Sequence, residues 1–177
     1  MNFAISFIID LVQGMQFLHQ SSTLQVHGNL RSSNCLINSR WQLSVSDFGL
    51  LDLRATADDE WSDDEDNYSI IKLLWKAPEL LRDEYGLFKA TQKADLYSFG
   101  IILYEIFRRS DDGKGGPYGD SLMKPEEIIN QIREPLPGAG FLRPDLEILK
   151  DLDLNYSAPD YIIGKNCDIF ELYFMNE

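Results

Sequence analysis

Val26-His27-Gly28-Asn29-Leu30-Arg31-Ser32-Ser33-Asn34-Cys35-Leu36-Ile37, followed after a short turn by Leu43-Ser44-Val45-Ser46-Asp47-Phe48-Gly49, is the stretch that decides the fold of this 177-residue chain. Leu24 to His27 and Cys35 to Ile37 are short apolar runs on either side of a polar loop, and Gln42-Leu43-Ser44-Val45 alternates as a half-buried strand does. Asn38-Ser39-Arg40 between them has the composition of a turn. Small strands are therefore expected to carry the loop and to hold two hard oxygen donors, Asn34 and Asp47, near each other. Taken singly, Asn34 reads as a hydrogen-bonding partner of the loop's backbone and Asp47 as a turn cap.

The frame His27-Gly28-Asn29, four residues, Asn34, then Asp47-Phe48-Gly49 resembles the catalytic loop and metal-binding loop of protein kinases, which read His-Arg-Asp, four residues, Asn, then Asp-Phe-Gly. One position is chemically different. Where kinases place a carboxylate to accept the substrate's hydroxyl proton, this chain has Asn29, an amide without useful basicity near neutral pH. The finer spelling His-Gly-Asn-Leu-Arg-Ser-Ser-Asn-Cys, with Leu-Trp-Lys-Ala-Pro-Glu-Leu-Leu at 74–81 and Asp-Leu-Tyr-Ser-Phe-Gly-Ile-Ile-Leu-Tyr-Glu-Ile at 95–106, resembles one family in particular, the kinase homology domain of membrane receptor guanylate cyclases. The likeness spans roughly residues 5 to 163 and stops where Gly164 to Glu177 depart from the family's pattern.

That resemblance implies an α+β, mainly helical fold: a kinase-like C-terminal lobe over residues 1–163, with its catalytic loop at 26–37, its activation segment at 47–79 and a divergent tail at 164–177. It implies ATP and Mg²⁺ as ligands, weakly held or absent without a small lobe, with Asn34 and Asp47 as metal-binding residues and Leu36 against the adenine ring. No catalytic residue is competent, because Asn29 stands at the base position. His27 and Phe48 are expected to stack in an internal hydrophobic column beside Gly49. Asp95 is expected to accept backbone hydrogen bonds from the catalytic loop, and Glu79 to be buried with its arginine partner missing, at a cost of order 3–5 kcal/mol. Gly28 replaces the arginine that clamps a phosphorylated activation segment, which argues against control of that kind.

Elsewhere the chain is ordinary for a globular domain, with 44% hydrophobic and 25% charged residues. A net charge of −13 argues against nucleic-acid or anionic-membrane partners, which need a basic patch. Cys35 and Cys167 match no metal or redox spacing, so reduced thiols are expected. Ala4, Ile5, Ile8, Leu11, Val12, Met15 and Leu18 recur at three- and four-residue steps and predict a helix from about Phe3 to His19, with His19 as a surface residue at its end. Asp10 interrupts that run and no basic residue precedes it, so it is not read as a signal or a span. Thr91 to Arg109, apolar nearly all round, predicts a central buried helix, and Pro125-Glu126-Glu127 opens another with Ile128, Ile129 and Ile132 inward. A further helix opens at Ser157-Ala158-Pro159-Asp160. The glycine-rich loop at 111–119 lacks a phosphate-cradle pattern and reads as filler. The acidic run Asp58 to Asp66 reads as a solvated segment, with Ser62 in a context acidophilic kinases favour.

The expected product is thus an incomplete pseudokinase lobe, without its small lobe and last helices, arising from a partial gene model or an aberrant transcript. Its expected partners are a receptor's small lobe and cyclase domain, with a homodimer formed through the receptor. Its expected place is the cytoplasmic side of the plasma membrane. Two alternatives stand beside this regulatory role in cGMP signalling: the remnant of a kinase with weak or no transfer, and a stand-alone interaction or decoy protein.

Overall fold

In the computed structural model, which describes residues 3–49, 70–83, 89–108, 116–119, 121–134 and 142, helix α1 runs Phe3–Gln20. The chain divides into two compact units, residues 1–144 and 145–177, and every described residue belongs to the first. The acidic run with Trp61 and Ser62, the helix expected from Ser157 and the boundary at residue 163 lie outside the described residues.

Ala4, Leu11, Met15 and Leu18 are the buried face of α1, four members of the apolar stripe read from the sequence. Fully burying side chains such as Leu11 and Leu18 contributes about 1.5–3 kcal/mol each. The helix packs on a two-stranded antiparallel hairpin, β1 Cys35–Ile37 and β2 Leu43–Val45, with Cys35 opposite Val45 and Ile37 opposite Leu43. Two residues of α1 fit it to β2. A Cβ on Gly14 would stand 3.1 Å from Val45 Cγ2, so glycine allows the close approach at a cost in helix propensity of about 1 kcal/mol. Asp10, which the sequence showed only as an interruption, accepts the Leu43 N–H at 2.9 Å and supplies the strand with a hydrogen bond it lacks within the hairpin. Asn38 closes the hairpin: its side-chain oxygen accepts the N–H groups of Arg40 and Gln42 at 2.9 and 3.1 Å.

The expected strand at Leu24 to His27 does not form. Gln25 takes φ +56° and Val26 donates to the Leu24 carbonyl at 2.6 Å, a tight turn that cannot join a ladder.

Helix α2 is a single turn, Pro78–Leu81, and α3 runs Gln92–Arg108. Thr91 caps α3, its hydroxyl accepting the Ala94 N–H at 3.1 Å. Nine residues of α3, from Ala94 to Tyr104, are buried, which makes it the central pillar expected from its all-round apolar character. Helix α4, Pro125–Arg133, starts as its sequence predicts, with Pro125 in the first turn and Glu127 reaching back to the Lys124 N–H at 3.1 Å. Its Ile128, Ile129 and Ile132 meet Leu74, Leu81, Ile101 and Tyr118 in one apolar cluster. Tyr118 corrects the view of the glycine-rich loop as filler. It is buried, it bonds the Tyr97 hydroxyl at 3.1 Å, and it takes φ +64° to do so. A side chain locked into the core holds a backbone conformation that would otherwise be unfavourable.

Candidate functional site

Three side chains of α3 anchor the segments that converge on the loop. Asp95, 2% exposed, receives the His27 N–H at 2.7 Å and the His19 ring Nε2–H at 2.9 Å on Oδ2, and the Gly28 N–H at 2.8 Å on Oδ1. One turn on, the Ser98 hydroxyl donates to the Trp75 carbonyl at 2.7 Å. Glu105 then accepts the Trp75 indole N–H at 2.8 Å and the Ser32 hydroxyl at 3.3 Å. The polar groups of an otherwise apolar helix therefore fix both the loop at 27–34 and the segment around Trp75. His19 corrects the expectation of a surface residue: it closes α1 onto Asp95 across 76 residues of sequence, and Gln92 adds bonds to the carbonyls of His19 and Gln25 at 3.0 Å each.

Within the loop the backbone is turned by its own side chains. His27, fully buried, accepts the Asn29 N–H on Nδ1 at 3.2 Å and so donates from Nε2 to the Ser46 carbonyl at 3.0 Å. Asn34, 5% exposed on the 3-10 turn Ser32–Asn34, donates its amide to the Asn29 carbonyl at 2.7 Å. Its backbone carbonyl accepts both the N–H and the hydroxyl of Ser46, at 2.9 and 3.0 Å. That pair of bonds ties Asn34 to the residue before Asp47. Asp47 itself sits in the left-handed region at φ +69°, and Asn29 donates its side-chain amide to Asp47 Oδ2 at 3.4 Å. Asn29, Asn34 and Asp47 thus form one constellation, with the donor at 29 facing the carboxylate at 47. Gly28 and Gly49 both have positive φ, +75° and +74°, and a Cβ on Gly49 would meet Leu24 at 3.0 Å.

The remaining expected residues fall into two groups. Phe48 is near His27, ring centroids 6.3 Å apart and edge-on, but it is 41% exposed; Leu36 is also exposed, at 56%. Phe48 lines an open groove of about 370 Å³ with Leu24, Val45 and, from α1, Gly14 and Phe17. Glu79 departs from expectation. In place of a buried orphan, it lies exposed in the first turn of α2, where water solvates the carboxylate and the helix N-terminus favours its charge. No buried-charge penalty arises there.

Sequence reasoning missed Glu105. Burial pushes its carboxyl up to about 7, against the bonds from Trp75 and Ser32, which pull it down. Cys35, beside it on β1, is raised to about 12 by burial first and by the Glu105 charge second, so its thiol stays protonated and inert. Arg31, in the middle of the loop, keeps a buried Nε that makes no hydrogen bond. A carboxylate on an apolar helix and a tryptophan at the end of the 3-10 turn Leu73–Trp75, 30 residues apart in sequence, gave no signal that they would meet.

Among the described residues no group of three or more His, Cys, Asp or Glu side chains could hold a metal ion. The donors present are one carboxylate, Asp47, and the Asn34 side-chain oxygen, whose amide nitrogen is already committed. Two such oxygen donors are too few for a bare Mg²⁺ ion, and Asn34 and Asp47 would hold one only where a ligand added further oxygens. No described helix is long and apolar enough to cross a membrane.

The model of the family described as protein tyrosine and serine/threonine kinase matches residues 1–136. Receptor-type guanylate cyclase Gyc76C of Drosophila melanogaster is 42% identical over 163 residues, 92% of this chain and 10% of that protein. Human atrial natriuretic peptide receptor 2 is 45% identical over 133 residues, 74% of this chain and 12% of the receptor. Receptor-type guanylate cyclase gcy-28 of Caenorhabditis elegans is 41% identical over 131 residues, 74% of this chain and 10% of that protein. The chain spans about a tenth of the length of these relatives. With a matched family model over most of its length and the loop frame in place, the chain belongs to the protein tyrosine and serine/threonine kinase family, in the form of the kinase-homology region of receptor guanylate cyclases.

Proposed function

We propose that this lobe is a regulatory pseudokinase module in cGMP signalling, binding a Mg²⁺-nucleotide without transferring phosphate and biasing a cyclase domain that converts GTP to cyclic GMP. The observation that carries it is the loop constellation. Asn34 and Asp47 are held together by Ser46 and Asn34 bonds, while the base position presents an amide donor. A site kept in order with its proton acceptor removed suits recognition and does not suit transfer. In this role Asn34 and Asp47 hold the cation, Leu36 meets the base, and Arg31, with its unsatisfied buried Nε, offers charge to a phosphate. His27, Phe48, Gly49 and Asp95 keep that arrangement in place. When bound, the Mg²⁺ ion neutralises the nucleotide's phosphate charge.

The open groove beside Phe48 supports a small lobe seated on α1 and the hairpin, since exposed Phe17 and Phe48 would be covered there. The lobe then works on the cytoplasmic side of a membrane receptor, and the receptor's own pairing brings two copies together.

The test is a receptor guanylate cyclase whose kinase-homology large lobe is replaced by residues 1–144 of this chain. ATP should raise cyclic GMP output, and no radiolabelled phosphate should pass from ATP to protein. Output that ignores ATP sinks the regulatory reading; phosphate transfer that Asn29→Asp greatly increases would mark a remnant kinase instead.

A further inference from the structure

Asn29 faces Asp47 across the site with a hydrogen-bond donor. A carboxylate only accepts, so the Asn29 side chain must present its nitrogen, and the 3.4 Å separation makes this a long, weak bond. Its sign matters more than its strength. A carboxylate at position 29 would place two negative groups at that separation, a repulsion that a cation between them would relieve. The position is also fixed: the Asn29 carbonyl is held by Asn34 at 2.7 Å and its N–H by His27 at 3.2 Å, so the side chain projects from a pinned backbone. Asp47 in turn occupies a left-handed conformation, φ +69°, that a non-glycine residue keeps only when its surroundings hold it.

We infer that Asn29 is a positioning residue, its amide serving in place of a cation to keep Asp47 and the following Phe48-Gly49 turn in order when no metal is bound. The loop is therefore organised before nucleotide arrives and independently of divalent ions. This stands apart from the regulatory reading, because it concerns the chain alone with metal alone.

The experiment is thermal unfolding of the full 177-residue chain without nucleotide, in EDTA and in millimolar Mg²⁺, for the wild type, Asn29→Asp and Asn29→Ala. The wild type should melt at the same temperature in both media. Asn29→Asp should melt about 3 °C lower in EDTA and regain that loss in Mg²⁺, because two carboxylates and Asn34 now make a site for the bare ion. Asn29→Ala should melt about 1–2 °C lower in both media, with no response to Mg²⁺. A side chain at position 29 that did not face Asp47 would not produce the ion response. A wild type that gains from Mg²⁺ as Asn29→Asp does, or an Asn29→Asp chain indifferent to both media, overturns the inference. Should Asn29→Asp fail to fold in either medium, equal melting of wild type and Asn29→Ala overturns it.

Discussion

The two ends of α3 each present a carboxylate to the loop, and they are treated differently. Asp95, near the N-terminal end, collects three donors, two of them backbone N–H groups, with the positive end of the helix dipole beside it. Glu105, near the C-terminal end, has two side-chain donors, the negative end of the dipole, and a thiol that stays neutral. Asp95 is buried and Glu105 half-buried, and Asp95 has the larger number of donors to replace water. The fold therefore holds the loop's backbone with a carboxylate that three donors surround, and the Trp75 segment with one that burial raises to about 7.

The largest expected effect breaks the stronger end. Asp95→Ala leaves the His27 and Gly28 N–H groups and the His19 ring without their acceptor, and should cost about 3–5 kcal/mol. Urea unfolding measures the cost, and amide hydrogen exchange at residues 27 and 28 should rise with it. A loss below about 1 kcal/mol would mean that the loop holds itself.

The weaker end is sharpened by pH. The Glu105 carboxyl is raised from 4.5 to about 7 in the folded chain, so the folded state binds the extra proton between those values. The stability it contributes is fully present below pH 4.5 and is lost as pH rises to about 7, an effect of roughly 3 kcal/mol. Glu105→Gln keeps both bonds without the charge, since its oxygen accepts from Trp75 and its amide meets Ser32. The variant should therefore be the more stable protein at pH 8, with the difference from wild type shrinking as pH falls to 5. A constant difference across that range would show that Glu105 does not titrate there.

A smaller effect tests whether the loop's mounting depends on the α1–β2 contact as well as on α3. Gly14→Val drives a branched side chain into Val45, whose Cγ2 lies 3.1 Å from the place its Cβ would take, and should destabilise by about 1–3 kcal/mol in the same urea assay. An unchanged midpoint would show that the helix shifts freely. The smallest effect concerns Cys35: in a Cys167→Ala background, iodoacetamide at pH 8 should label the native thiol far more slowly than the unfolded one, since its pKa is held near 12. Equal rates would place the thiol in water.

Much of this is legible in the sequence because it depends on local pattern. The buried face of α1, the cap and isoleucines of α4, and the apolar α3 follow from helical periodicity and end signals that need no distant partner. The loop frame from His27 to Gly49 is legible because its chemistry fixes its spacing. Glu79 is not, since a carboxylate's burial depends on what covers it, and no spacing along the chain records that. The short run Leu24 to His27 reads as a strand and forms a turn, because four residues of mostly apolar character carry no information on whether a partner strand exists.

Residue type and order alone settle the family, the identity of the group at position 29 and the loss of a proton acceptor there, since none of these depends on how the chain packs. Packing in three dimensions is what brings His19 to Asp95, Glu105 to Trp75 and Ser32, Tyr118 into the core, and the Asn29 amide to Asp47. The hydrogen bonds among them join residues 18 to 76 positions apart, and the energies of burial and hydrogen bonding that make such contacts depend on distances in space.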